Sequence, residues 1–351
     1  MKTALTHRFG IEHPIMSAGM AASPKHHSSS LSARPAAWAA SGVPATSPTH
    51  SETRSEPSGQ APPSPSPSTC WCHHRSSTKT PRHGSQSDDY GNRCPPKTET
   101  SSAAWNHSSP PTPRAVAQQV EVVLDERPAA VVLTFDVPDW FVTACRERDI
   151  AVIALVGSAG RAQHAEIAGA EIIVAQGTEG GGHTGHVSTM VLLPSVVDTV
   201  SVPVLAAGGI VDGRGLAAAR CLGAHGAWMG TRFIASDEGF GHRAYKDRLI
   251  AASSKHTTLS RAYTGKPLRT LQNDWTREWQ GREDEIQPFP AQYAVAGTRV
   301  ETGYQDGDLQ QGMMPAGQAI ELLHQIQPAG DIVRTIVADA DRILRSAANS
   351  L

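Results

Sequence analysis

The sequence is short of cysteine, of net charge and of long apolar runs, and each shortage removes a class of protein. Five cysteines in 351 residues are too few for a disulfide framework, so a reducing compartment is expected. A formal net charge of -2 and a pI near 6.8 give no electrostatic case for nucleic acid or an anionic membrane as partner. No apolar run approaches the ~20 residues of a membrane-spanning helix. Residues 1–20 lack the cationic start and apolar stretch of a secretory signal. The expectation is a cytoplasmic protein, long enough for one α/β barrel with additions or for two ordinary domains.

What is present is unevenly spread. Residues 23–113 are rich in Ser, Pro, Thr, His and Arg, as in Ala61-Pro-Pro-Ser-Pro-Ser-Pro-Ser-Thr-Cys70 and Ser108-Ser-Pro-Pro-Thr-Pro113. Apart from short Ala-rich patches the stretch has neither helical nor strand periodicity, and it could not bury enough apolar surface to offset its chain entropy. Cys70, Cys72 and Cys94 fall here with several histidines. A Cys-x-Cys without a second close pair is weak evidence for zinc, so no metal is assigned.

From residue 115 onward the composition is that of a globular protein. Apolar strand patterns at 129–135, 150–156, 171–175, 202–206 and 226–229 alternate with helical patterns at 115–126, 138–147, 159–168, 192–200 and 213–222, the last capped by Asp212. A further strand is read at 13–20. This alternation argues for βαβ units, and continuous apolar strands argue for a parallel sheet covered on both faces. The architectures left open are a TIM (β/α)8-type barrel and an open doubly wound sheet. Five strands plus one fall short of eight, and the simplest placing puts the missing pair in 23–113. Counted so, the last two strands are the seventh and eighth, where barrels commonly hold a phosphate.

The loops favour the barrel. Gly208 and Gly209 follow the seventh strand, allow close backbone approach and precede a helix whose amides favour an anion. Gly230 and Thr231 follow the eighth and offer amides and a hydroxyl. The bland alternative is two tight turns with glycine for geometry only. The sixth strand runs into Gln176-Gly-Thr-Glu-Gly-Gly-Gly-His-Thr-Gly185, a glycine-rich loop suited to a flat ligand. His183, with an ordinary pKa near 6.5, suits a general base; the bland alternative is a loop histidine satisfying backbone carbonyls, and His186 competes for the role.

This loop, together with Ala206-Ala-Gly-Gly-Ile210, Met229-Gly-Thr-Arg-Phe233 and the opening Arg8-Phe-Gly-Ile-Glu-His-Pro-Ile-Met-Ser-Ala-Gly-Met20, resembles the nitronate monooxygenase (2-nitropropane dioxygenase) family. The resemblance covers residues 1–22 and 115 to the C-terminus. It implies a TIM barrel with a smaller, partly helical domain and noncovalent FMN. It would place Ala18, Gly19, Met20, Gln176 and Gly181 at the flavin, Gly208, Gly209, Gly230 and Thr231 at its phosphate, and His183 as the catalytic residue. The implied reaction is oxidation of an alkyl nitronate or nitroalkane by O2 to a carbonyl compound and nitrite. A flavin-dependent enoyl-thioester reductase on the same barrel, a remnant that no longer holds flavin, and a flavin-free phosphate-sugar barrel are the competing functions.

The expected organisation is a first strand and loop at 1–22, the anomalous 23–113, a barrel core with the FMN site at 114–240, a cap or small domain at 241–310 containing Trp275 and Trp279, and a C-terminal helical segment at 311–351. Within the last, 312–318 resembles a family segment near the pocket, and 331–344 reads as an amphipathic packing helix. Pro35-Ala-Ala-Trp-Ala-Ala-Ser-Gly42 could be encoded by codons that read Gly-Gly-Leu-Gly-Gly-Leu-Gly when shifted by two bases, close to the family's glycine-leucine run. The interval 23–113 is therefore read as translated out of frame, with a genuine disordered insertion as the alternative. An incomplete barrel follows from either.

Overall fold

A computed structural model describes residues 2–18, 38–39, 71–73, 113–134 and 137–350. Its strands are β1 (Ile15–Ser17), β2 (Trp38–Ala39), β3 (Trp71–His73), β4 (Ala130–Thr134), β5 (Ala151–Val156), β6 (Ile172–Gln176), β7 (Gly182–His183), β8 (Val204–Ala207), β9 (Gly226–Met229), β10 (Thr257–Ser260) and β11 (Leu268–Leu271). The helices of the sheet region are α1 (Ala4–Phe9), α2 (Pro113–Glu126), α3 (Asp139–Arg146), α4 (Ala159–Ile167), α5 (Thr189–Val197), α6 (Gly213–Cys221) and the short α7 (Thr231–Ile234). Beyond them lie α8 (Arg243–Ala251), α9 (Asp274–Glu278), α10 (Gln292–Ala296), α11 (Arg299–Gln305) and α12 (Ala329–Ala348).

Six strands form a parallel curled sheet in the order β1-β9-β8-β6-β5-β4, with helices between successive strands. This is a half-barrel of the TIM type, as the loop pattern implies. On the outer edge of β4 the chain adds β3 and then β2, but both pairings are antiparallel. Two short segments of the anomalous stretch thus sit where parallel barrel strands are expected, with the wrong direction for a barrel. The rest of that stretch, including Cys70 and Cys94, lies outside the described residues.

The strands place alternate residues on opposite faces, and two separate cores result. Val131, Leu133, Val152, Ala154, Ile173, Ala175, Val204 and Ala206 pack outward against the helices. Val132, Ile153, Ile172, Val174, Leu205, Trp228 and Met16 pack inward, with Leu5 of α1 among them. Each fully buried aliphatic side chain of this kind contributes roughly 1.5–3 kcal/mol. A third core, built on Tyr245, Tyr263, Trp275, Trp279, Ile286 and Met314, belongs to the cap region read at 241–310 and its neighbour.

Several helix ends follow the capping chemistry of the sequence. Ser158 accepts from the amide of Arg161 at the start of α4, and Asp212 accepts from Arg214 and Gly215 at the start of α6. The helix expected at 192–200 instead runs from Thr189 to Val197. Its Ser188 N-cap makes no side-chain bond; the carboxylate of Glu179 takes the Thr189 amide, at 2.9 Å to Oε2. A cap supplied from ten residues upstream is invisible to local pattern. Helix α12 spans more than the expected 331–344 and buries Ile332, Ile336, Val337 and Ala340.

Candidate active site

The inward row of β6 ends at Gln176, which is buried at the carboxyl mouth of the half-barrel. Its Nε2 donates to the His183 carbonyl at 2.8 Å and, more weakly, to that of Gly181 at 3.5 Å. Thr184 Oγ1 donates to the Gly177 carbonyl at 2.9 Å. The glycine-rich loop is therefore folded back on its own strand. It is also paired with the cap region: β7 joins β11 and β10 in a small antiparallel sheet, with Leu268 opposite His183 and Arg269 opposite Gly182. The buried Arg269 donates from Nε to the Thr178 carbonyl at 2.9 Å.

Three loops distant in sequence meet here. Gly208 and Gly209 have φ of +93° and +74°, the left-handed region that favours glycine. A Cβ on Gly208 would lie 2.9 Å from the Gly177 carbonyl oxygen, so the loops after β6 and β8 are in contact. The amide of Gly317 donates to Thr231 Oγ1 at 3.0 Å, and that of Gln318 to the Glu179 carbonyl at 2.9 Å. A Cβ on Gly181 would lie 2.8 Å from the backbone of Ala316 and Gly317. The segment 316–318 thus ties the loop after β6 to the loop after β9. Ala18 joins the same rim: its amide donates to Met229 O at 2.7 Å, and a Cβ on Gly230 would sit 3.3 Å from its own Cβ. Gly19 and Met20 lie outside the described residues.

Among the described residues, no protein group accepts from the amides of Gly208, Gly209, Gly230 or Thr231. Thr231 Oγ1 accepts from Gly317 and keeps its own proton to donate. One expectation is corrected. The second and third amides of α6, those of Arg214 and Gly215, do not await an anion, because the Asp212 carboxylate already takes them. Any phosphate at this rim is left chiefly to the loop amides.

His183 differs from its expected state. Nε2 lies 2.9 Å from Thr264 Oγ1, and the ring meets the edge of Phe289 at a centroid distance of 6.1 Å. Lys266 holds its ammonium 4.2 Å from the centre of the Phe289 ring. Loss of hydration, then the positive charge of Lys266, brings the His183 pKa down from 6.5 to about 4. At neutral pH the imidazole is uncharged and able to accept a proton, but it is a weaker base than an ordinary histidine. His186 is exposed.

Thr264, Lys266 and Arg269 were not legible as site residues. The signal for their hairpin was present: Thr257-Thr-Leu-Ser260 and Leu268-Arg-Thr-Leu271 flank Gly265 and Pro267, a strand-turn-strand pattern. Nothing local says that β11 pairs with the His183 loop. Arg232, inside the Met-Gly-Thr-Arg-Phe motif, is a clamp: its Nη2 reaches the carbonyls of Ala235 and Gln325.

The fold and rim define an α/β enzyme of the TIM-barrel class, with its functional loops at the carboxyl ends of the strands. The nitronate monooxygenase family model matches residues 86–339. A probable nitronate monooxygenase of Staphylococcus saprophyticus is 33% identical over 237 residues, covering 64% of this chain and 66% of that protein. Among solved structures, FabK from Thermotoga maritima is 34% identical with a TM-score of 0.64, covering 68% of this chain and 76% of that one. A nitroalkane oxidase from Streptomyces ansochromogenes is 28% identical with a TM-score of 0.62, covering 69% and 72%. The chain belongs to the nitronate monooxygenase family. The aligned part spans from 43% to 66% of the length of the first curated relatives.

Proposed function

We propose that this chain binds FMN at the carboxyl rim of its half-barrel and oxidises alkyl nitronates with O2 to a carbonyl compound and nitrite. The observation that carries the reading is the convergence of open backbone amides after β8 and β9 with the His183 loop after β6. The residues present fit a phosphate-bearing flavin. Gly208, Gly209, Gly230 and Thr231 supply donors for the phosphate. Ala18 would line the ring from the neighbouring loop, as the family resemblance also expects of Gly19 and Met20. Gly181 lies on the same rim, and Gln176, whose Nε2 is held by loop carbonyls, would have Oε1 left for the flavin. When bound, FMN supplies electron acceptance and the reaction with O2.

His183 then takes the proton from the carbon bearing the nitro group, or orients the nitronate. Its depressed pKa keeps the imidazole neutral through the neutral range, so no protonated fraction competes with the substrate proton. No helix among the described residues is long and apolar enough to cross a membrane. The substrate is a small diffusible molecule, and the compartment this reading implies is the cytoplasm.

The test is oxygen uptake with a small alkyl nitronate, FMN present, at neutral pH. Uptake by the native chain and a fall of at least ~100-fold in kcat for His183→Ala with a nitroalkane are expected. Native uptake that His183→Ala leaves unchanged overturns the role of His183. Oxidation of NADPH by an enoyl thioester, with no nitronate oxidation, would favour the reductase reading instead.

A further inference from the structure

We propose that Thr189 is the positioning residue of the Gly209 amide: its hydroxyl holds the Gly208 carbonyl, and so keeps the Gly208-Gly209 peptide turned with its N–H available to a phosphate. The inference rests on the reading of the rim amides as donors to the phosphate of a flavin.

Gly208 and Gly209 both lie at positive φ, +93° and +74°. Neither carries a Cβ to bias the peptide between them, so its plane is free to turn over. In a trans peptide the carbonyl and the following N–H point in opposite directions. One orientation therefore offers an anion the Gly209 amide. The other offers it the Gly208 oxygen, which repels it. Thr189 Oγ1 lies 3.1 Å from that oxygen, on the far side of 19 residues of sequence. Among the described residues no other group donates to Gly208 O, and none accepts from the Gly209 amide. With its carbonyl turned to Thr189, the peptide directs its N–H away from Thr189, where it stays free for a ligand.

Thr189 is itself held in place. It opens α5, and a Cβ on Gly177 would collide with its amide and its hydroxyl, so the helix starts directly on the end of β6. Its amide donates to Glu179, at 3.1 Å to Oε1 and 2.9 Å to Oε2. Its one hydroxyl proton lies between Glu179 Oε2, at 2.9 Å, and Gly208 O, with Ala207 O further off at 3.4 Å. The carboxylate has the Thr189 amide as a second donor; the Gly208 carbonyl has the hydroxyl alone among the described residues. Glu179 is anchored in turn, because its carbonyl accepts from the Gln318 amide at 2.9 Å. Its side chain flanks the peptide in question: a Cβ on Gly209 would lie 3.6 Å from Glu179 Cβ. The loop after β6 thus sets Thr189, and Thr189 sets the loop after β8.

Two measurements on the full chain test this. The first is the affinity for FMN and for riboflavin, which lacks the phosphate. Thr189→Val should weaken FMN about 10-fold and leave riboflavin unchanged, and Thr189→Ser should restore FMN. An equal loss for both flavins, which general damage to the site would give, overturns the proposal. So does native FMN affinity in the valine variant. The second is NMR of the unliganded chain carrying 13C-carbonyl and 15N glycine, which selects the amides of the three Gly-Gly pairs, 180–181, 181–182 and 208–209. The Gly209 signal is the one lost in Gly209→Asn, a residue that accepts the left-handed conformation. It should be single and sharp in the native chain, doubled or broadened in Thr189→Val, and single again in Thr189→Ser. A sharp single signal in Thr189→Val overturns the proposal. Thr189→Ala takes the place of the valine variant if that does not fold. A native chain that binds no flavin refutes the functional reading, and the unliganded Gly209 signal still decides the role of Thr189.

Discussion

At the residue scale the informative feature is a histidine held away from its charged form. In the unfolded chain His183 titrates near 6.5, and in the folded protein near 4. Between those values the unfolded state binds the extra proton, so stability rises with pH across that window and is lost as pH falls through it. The full effect is at most about 3 kcal/mol, reduced by the water that still reaches this half-buried residue. Thermal melts of the native chain and of His183→Gln between pH 4 and 7 should converge on acidification far less than this only if the ring is better hydrated than its surroundings indicate. The expected result is a native Tm that falls more steeply below pH 6.5 than that of the variant. Parallel curves would show that His183 is not buried with Lys266 and Phe289 as described. The identity of this residue was legible in the sequence, because a histidine in a triple-glycine loop after a strand is conspicuous. Its state was not, because Lys266, Phe289 and Thr264 arrive from other parts of the chain.

At the scale of elements, what could be read was periodic and local. The strands at 129–135, 150–156 and 226–229 and the Asp212 cap are found where apolar runs and capping residues place them. What could not be read were contacts made at long range: Glu179 starting α5, β11 completing the sheet with β7, and 316–318 bridging the loops after β6 and β9. The packing of α6 on α12 shows how such contacts reverse a local rule. Gly213 opens α6, where replacing glycine by alanine would ordinarily stabilise a helix by up to about 1 kcal/mol. A Cβ there would stand 2.4 Å from Asp339 Cβ and 2.8 Å from the Ala340 amide of α12. Backbone cannot swing aside as a flexible side chain can, so the two helices must separate. Gly213→Ala should therefore destabilise by about 1–3 kcal/mol in chemical denaturation, the usual cost of overpacking. A neutral or stabilised variant would show that α6 and α12 pack less closely than this.

At the scale of the whole molecule, the question is whether six parallel strands suffice. A closed barrel removes its sheet edges, whereas an open one leaves backbone groups and apolar faces to be covered. Here β1 has β9 on one side and no second strand partner among the described residues, while β4 ends in the antiparallel β3. The part shared with FabK covers 76% of that chain, so about a quarter of it has no counterpart here. The family match begins at residue 86, leaving most of the interval 23–113 without a counterpart. That interval, rich in Ser and Pro and poor in apolar periodicity, lacks the side chains to bury two barrel strands on both faces. The flavin ring would rest partly on Gly19 and Met20, at the entrance to that interval, so its site depends on what the interval supplies. The chain as written should retain well below one flavin per molecule after purification. A version in which 23–113 is replaced by the shifted-frame reading of the same gene should be yellow and stoichiometric. Absorbance near the flavin maxima and the gene sequence decide together. One flavin per native chain, with no compensating insertions or deletions in the gene, would mean that a half-barrel closed by two antiparallel segments is enough to hold the cofactor.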